Sequence, residues 1–259
     1  MTGKEEGLRH QRFPAIAAIF VTSLIVSNII AVKLIAIGPF FLSAAVIIFP
    51  LSYIFGDVLT EVYGYARARR VIWIGFLCNL LAVFIIWVSI QLPPAPFWTA
   101  GSFKTPQSFQ EAYQTIFGFT PRLLAASFAA YLFGEFLNSF VLAKMKIATR
   151  GRHLWLRTIS STLVGQLADS VIFIILAFYG AIPFPALGRL VLTQWLVKSA
   201  YEALATPLTY MLVNYLKRVE NEDYYDRRTN FNPLLLREGV TGESLKPLEK
   251  IIGQGGKGV

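Results

Sequence analysis

Cysteine is almost missing. Cys78 stands alone among 259 residues, which excludes an intrachain disulfide and a cysteine-based metal cluster. Histidine is nearly as scarce, and His10 and His153 both lie in polar segments. No His-x-x-Glu-His pair exists, and no apolar run holds the base that an intramembrane serine hydrolase would need. A glycine-rich phosphate loop is also lacking. The residues therefore point to no enzyme, no metal and no cofactor. Charged residues make up 15% of the chain, against about 25% in soluble domains. In their place stand 55% apolar residues, 21 of them Phe, and a mean hydropathy of +0.54. The apolar residues come in runs long enough for bilayer helices, which need about 20 residues each. This is the composition of an all-α polytopic membrane protein. A net charge of +9 would suggest nucleic acid in a soluble chain, but here the basic residues sit between the apolar runs and set topology instead.

Six spans are expected, at about 13–37, 40–63, 71–92, 121–143, 158–180 and 189–216. They form one transmembrane domain over 13–216, between a cytoplasmic segment 1–12 and a flexible cytoplasmic tail 217–259. Pro50 predicts a kink or break in the second span, because proline removes a backbone donor and crowds the preceding turn. Thr120-Pro121 reads as the cap and first turn of the fourth. Between the third and fourth, Phe109, Tyr113, Ile116 and Phe117 fall at helical spacing and predict a short interfacial helix. Of the 24 Lys and Arg, 19 lie in the N-terminal segment, the loop 64–70, the loop 144–157 and the tail. By the positive-inside rule, those segments and both termini are cytoplasmic.

The spans carry polar intruders. The first holds Ser27, Asn28 and Lys33, the second Asp57, Thr60 and Glu61, and the third Asn79. The fourth holds Glu135 and Asn138, the fifth Gln166 and Asp169, and the sixth Gln194, Lys198 and Glu202. Where they pair, they sit three or four residues apart, so each helix presents one polar stripe. A charge at mid-bilayer depth costs about 2.5–3.5 kcal/mol on insertion scales. The stripes thus either converge on a polar cavity or hold the helices together, and Asp57 and Glu61 could instead lie at the headgroup level. Lys198 and Glu202 could equally form an ion pair within their own helix. Five acids face two bases, Lys33 and Lys198, so a proton or a cation must offset part of the charge. Gly56-Asp57-x-x-Thr60, Gly134-Glu135-x-x-Asn138 and Gly165-Gln166-x-x-Asp169 share one pattern. In it a glycine that admits a close neighbour precedes a polar pair.

The stretches VSNIIAVKLI, FPLSYIFGDVLTEVYGYARARR, YLFGEFLN and STLVGQLADSVIF, with Lys198 beyond them, resemble the queuosine precursor transporter family within the wider vitamin uptake transporters. The resemblance covers about residues 13–216. It implies a six-helix bundle in the bacterial inner membrane that imports 7-deazaguanine bases, the nitrile and aminomethyl precursors of queuosine. It also implies a fold related to the substrate-binding components of energy-coupling-factor importers, working without that energising module. Asn28, Phe49-Pro50, Asp57, Thr60, Gly165, Asp169 and Lys198 match the family pattern. Glu61, Glu135, Asn138, Gln166 and Glu202 stand where members are expected to differ in residue type.

The residue types suit such a ligand. A guanine-like base offers a ring N–H beside an amino group, which one carboxylate accepts as a pair. Its carbonyl takes a donor from an amide or Lys. The expected substrate-binding residues are Asn28, Asp57, Thr60, Glu61, Glu135, Asn138, Gln166, Asp169, Lys198 and Glu202, with Asp169, Glu135 and Asp57 as acceptors. The expected partners are the small-molecule deazapurine base and the lipid bilayer, with no nucleic acid; homo-oligomerisation is left open. The competing readings are a carrier for another vitamin-like or cationic molecule and a structural membrane protein.

Overall fold

The structure is a computed structural model and describes residues 11–37, 40–118, 121–180 and 183–235. Among these the chain forms helices α1 (Phe13–Ile30), α2 (Phe49–Tyr63), α3 (Tyr65–Gln91), α4 (Pro106–Phe117), α5 (Pro121–Ala148), α6 (Leu154–Phe178) and α7 (Phe184–Glu220). Two short strands, β1 (Leu34–Ile37) and β2 (Phe40–Ser43), lie between α1 and α2, followed by a 3₁₀ turn at Ala44–Ile47. The strands pair antiparallel, with Leu34 opposite Ser43 and Ile37 opposite Phe40.

This stretch departs from the sequence reading. The first helix stops at Ile30, so Lys33 lies beyond it and is exposed. The second starts at Phe49 rather than 40, and Pro50 sits in its first turn. There its missing N–H is one that the helix leaves unpaired anyway, so no kink arises. The resulting α2 has 15 residues and a length of about 22 Å, short of the roughly 30 Å hydrocarbon thickness. Pro207 lies inside α7, which continues through it to Glu220.

Among the described residues, four stretches are long and apolar enough to cross a membrane: Phe13–Ile30, Tyr65–Gln91, Leu154–Phe178 and one within Pro106–Ala148. The distribution of side chains is that of a bundle in lipid. On α3, Ile74, Leu77, Leu81, Phe84, Ile85 and Trp87 point outward and are more than half exposed, a surface that water would not tolerate. On α6 the order is inverted. Arg157, Thr158, Ser161, Thr162, Gln166, Asp169 and Ser170 are buried, while Leu163, Val164, Leu167 and Leu176 face out. The apolar core gathers Phe20 of α1, Val58 and Val62 of α2, Ile72 of α3 and Val213 and Leu216 of α7.

The short helix expected between the third and fourth spans is present as α4. Thr105 and Ser108 form a capping box at its start, and each satisfies a donor that the first turn would otherwise leave free. Its aromatic face packs against Trp98, with ring centroids 4.5 Å from Phe109 in a tilted contact and 5.9 Å from Tyr113 edge-on. Gln110 donates to the carbonyl of Ile90 at 2.8 Å, and Ser89 and Tyr113 share a hydrogen bond, which seats α4 on the end of α3.

Candidate functional site

The three glycine-led motifs meet in space. A Cβ at Gly165 would stand 2.8 Å from the Cβ of Asn138 and 2.9 Å from the carbonyl of Gly134. One at Gly134 would stand 3.0 Å from the Cβ of Asp169. Both glycines therefore let α5 and α6 touch backbone to backbone. The Gly56 position lies 3.2 Å from Glu135 Oε2 by the same measure, which brings α2 onto α5. Each polar residue next to a glycine is held at a helix crossing.

The polar stripes turn inward together. Asn138 donates to Asp57 Oδ1 at 2.8 Å, and Thr60 donates to Ser139 at 3.1 Å. Thr162 donates to Glu202 Oε1 at 2.6 Å, and Gln166 reaches Glu202 Oε2 at 3.4 Å. Lys198 pairs with Asp169 across α6 and α7. Glu135 Oε2, Asn138 Oδ1 and Gln166 Oε1 are buried acceptors without a hydrogen-bond partner. A small cavity of about 40 Å³, partly open to the outside, lies between α2, α6 and α7. Pro50, Tyr53, Gln166, Val197, Lys198, Tyr201 and Glu202 line it. In this conformation it is far smaller than a small-molecule site of about 300–1,000 Å³, so a small molecule fits only when these helices part. Among the described residues, no group of His, Cys, Asp and Glu is placed to hold a metal ion.

Not every expected residue reaches this cavity. Gln166, Lys198 and Glu202 line it; Asp57, Thr60, Glu135 and Asn138 lie in the polar layer at the α2–α5–α6 crossing, and Asp169 joins that layer to Lys198. Asn28 is half-buried on α1. Glu61 belongs to a separate cluster at the end of the bundle where α2, α5, α6 and α7 meet. Its Oε1 accepts from Arg157 and Lys217, each at 2.7 Å, and lies 3.5 Å from Lys146. Asp223 bridges Lys146 and Lys217 at 2.6 and 2.9 Å.

Residues 221–235 close over that cluster as a strap. This differs from the flexible tail expected from residue 217; residues 236–259 lie outside the described residues. Asp226 accepts from the backbone N–H of Tyr65 with both oxygens, at 3.1 and 3.0 Å, and so caps the start of α3. Arg69, fully buried, donates to the carbonyls of Asn230 and Asn232 at 2.8 and 2.7 Å, and Trp73 donates to that of Pro233 at 2.8 Å. Phe231 packs on Tyr65 and Phe140, and Lys144 stands 4.1 Å over its ring. Gly64, at φ +86°, lies under the Tyr224 ring, where a Cβ would stand 2.2 Å from it. The sequence reading missed the strap. Its signal was a run of Tyr, Asp and Asn beside basic helix ends, which resembles any polar tail.

The model of the putative vitamin uptake transporter family matches residues 43–212. This chain belongs to that family. The vitamin uptake transporters are carriers and not enzymes, and the apolar helices make this member a multi-pass membrane protein. The chain is similar to the probable queuosine precursor transporter of Bacillus subtilis (strain 168), 34% identical over 155 residues, 60% of this chain and 64% of that protein. It is similar to the probable queuosine precursor transporter of Haemophilus influenzae, 26% identical over 163 residues, 61% of this chain and 63% of that protein. It is also similar to the queuosine precursor transporter of Escherichia coli (strain K12), 28% identical over 131 residues, 51% of this chain and 52% of that protein. The chain thus spans between half and two thirds of the length of these relatives, all bacterial. No solved structure matches it.

The stretch that matches the vitamin uptake transporters starts just before the 3₁₀ turn and ends within α7. It contains the cavity, the glycine crossings and Glu61. Asn28, Lys217 and the strap fall outside it.

Proposed function

We propose that this vitamin uptake transporter imports queuosine precursors, the 7-deazaguanine bases, across the bacterial inner membrane, and that it takes the base in the cavity between α2, α6 and α7. The observation that carries the reading is the lining of that cavity. Glu202 stands there with both oxygens oriented, one by Thr162 and one by Gln166, beside Lys198 and the rings of Tyr53 and Tyr201. A guanine-like edge needs one carboxylate for its ring N–H and amino group, a cationic or amide donor for its carbonyl, and flat neighbours for its faces. The names of the relatives support the same substrate class. The surrounding acids, Asp57, Glu135 and Asp169, would offset the charge of the aminomethyl form; the nitrile form needs no such offset.

The orientation follows from charge. We read six spans, α1, α2 with its preceding non-helical stretch, α3, α5, α6 and α7, with both termini cytoplasmic. Non-helical backbone at membrane depth is tolerated where protein or a cavity surrounds it. The end of the bundle that gathers Arg69, Lys146, Arg157 and Lys217 is then the cytoplasmic one.

The test is thermal stabilisation of the purified carrier by the two bases, together with uptake of labelled base by cells lacking their own importer. A ligand that binds only the native state must raise the melting temperature. Glu202→Gln should remove that rise and the uptake. Stabilisation by another vitamin-like or cationic molecule instead would redirect the substrate assignment. No stabilisation by any of them would favour a structural role for the polar layer.

A further inference from the structure

We infer that Glu61 and the strap 221–235 form the inner gate of the carrier, and that Glu61 ties the helices shut rather than touching substrate. The inference rests on the carrier reading above and concerns the path that the substrate takes out of the cavity.

One buried carboxylate holds three other helices. Arg157 comes from the start of α6, Lys217 from the end of α7 and Lys146 from the end of α5, and all converge on Glu61 Oε1 of α2. Lys146 also donates to the backbone carbonyl of Glu61, so the contact fixes the helix end as well as the side chain. The cavity lies deeper. Gln166 is nine residues above Arg157 along α6, about 13 Å, and Glu202 is fifteen residues above Lys217 along α7, about 22 Å. A molecule in the cavity therefore has the Glu61 knot between itself and the cytoplasm along the α2–α6–α7 seam.

The strap locks the knot from outside. Asp223 ties Lys146 to Lys217 directly. Glu222 pairs with Arg67 at 3.2 Å. Tyr224 donates its N–H to the carbonyl of Val62 at 3.2 Å, and its own carbonyl accepts from Lys146 at 2.7 Å. Lys146 stands 4.7 Å from the Tyr225 ring. Lys146 thus has three strap residues and Glu61 as partners, and cannot move away from α2 while the strap is seated. Interfaces of this kind are two-state: they hold or they separate as a unit. Separation is what would open the seam to the cytoplasm.

The test is a reversible tether at a surface contact of the strap. In a Cys78→Ser background, Arg67→Cys and Glu222→Cys place two thiols at positions whose native side chains touch, and a short bis-methanethiosulfonate reagent joins them. We expect the tethered carrier to keep its base-dependent thermal stabilisation while uptake falls at least about tenfold, as for a step limited by gate opening, and reduction to restore uptake. Undiminished uptake by the tethered protein overturns the gate. A readout without substrate runs in parallel: labelling of Gln166→Cys by a membrane-impermeant thiol reagent in inside-out vesicles should slow by about tenfold with the tether closed, and equal labelling also overturns the gate. Glu61→Gln separates the two roles of Glu61. Retained base-dependent stabilisation supports gating, and its loss in a folded protein makes Glu61 a substrate contact. If neither base stabilises or crosses with the untethered carrier, the substrate assignment fails while the labelling result still decides the gate.

Discussion

At the scale of residues, two ion pairs do different work. Lys198 and Asp169 hold each other at the cavity edge, with side chains 20% and 12% exposed. Asp169→Asn takes from Lys198 its carboxylate partner across α6 and α7, and Lys198→Met takes from the largely buried Asp169 its ammonium partner, so each should lower stability by up to about 3–5 kcal/mol. The double variant should melt near the parent yet show no stabilisation by base, because Lys198 lines the cavity. Full uptake by that double variant would leave the pair a purely structural role. Asp223 is the more exposed anchor of the strap. Burial pushes its carboxyl up, but hydrogen bonds from Lys146 and Lys217 outweigh that and hold it below the ordinary carboxylate range. A carboxyl depressed on folding stabilises the fold above its unfolded pKa of about 3.9 and loses that contribution as pH falls through the folded value. Hydrogen exchange of residues 222–235, taken relative to the unprotected amide rate at each pH, should therefore stay slow through neutral pH and quicken below about pH 4. Asp223→Asn should make it fast already at neutral pH.

At the scale of elements, the glycine crossing fixes how closely α5 and α6 approach. Gly165→Ala would put a methyl group 2.8 Å from the Asn138 Cβ and 2.9 Å from a backbone carbonyl, and neither can rotate away. We expect a loss of about 1–3 kcal/mol, read as a lower melting temperature in detergent. Gly188→Ala, with nothing within 4 Å, should be neutral or gain up to about 1 kcal/mol of helix propensity. Asp226→Ala removes the cap of α3 and should cost about 0.5–2 kcal/mol, with faster proteolysis between residues 221 and 235. The glycine motif was legible in the sequence because close packing and polar intrusion leave a mark at one spacing. The hairpin was not, since apolar runs such as those around residues 34–43 read alike as strand or buried helix. Pro50 was misread because a proline at a first turn and one at a kink look the same until the helix start is known. The Glu61 knot escaped for a different reason. Its partners lie between 85 and 156 residues away, and no local pattern announces them.

At the scale of the molecule, the charge distribution makes one assertion that can be tested in cells. A reporter fused after Arg150 should be active only if it folds in the cytoplasm, and activity outside the cell would invert the whole arrangement. The span count was read from length and hydropathy; among the described residues four helical stretches are long and apolar enough to cross a membrane. The basic helix ends gather at one end of the bundle, the end that the proposed orientation places in the cytoplasm. The strap adds something that a helix count does not contain. It lies after every helix it touches, so it leaves the ribosome only once α1 to α7 have been made and delivered to the membrane. Until then Arg69, Lys146 and the start of α3 wait without the contacts that the strap supplies. Each new molecule therefore passes through an unlatched stage during its biogenesis, and chains arrested before residue 221 should never leave it. Such chains should insert normally but be cleared early by membrane quality control, with a pulse-chase half-life shorter than that of the latched protein.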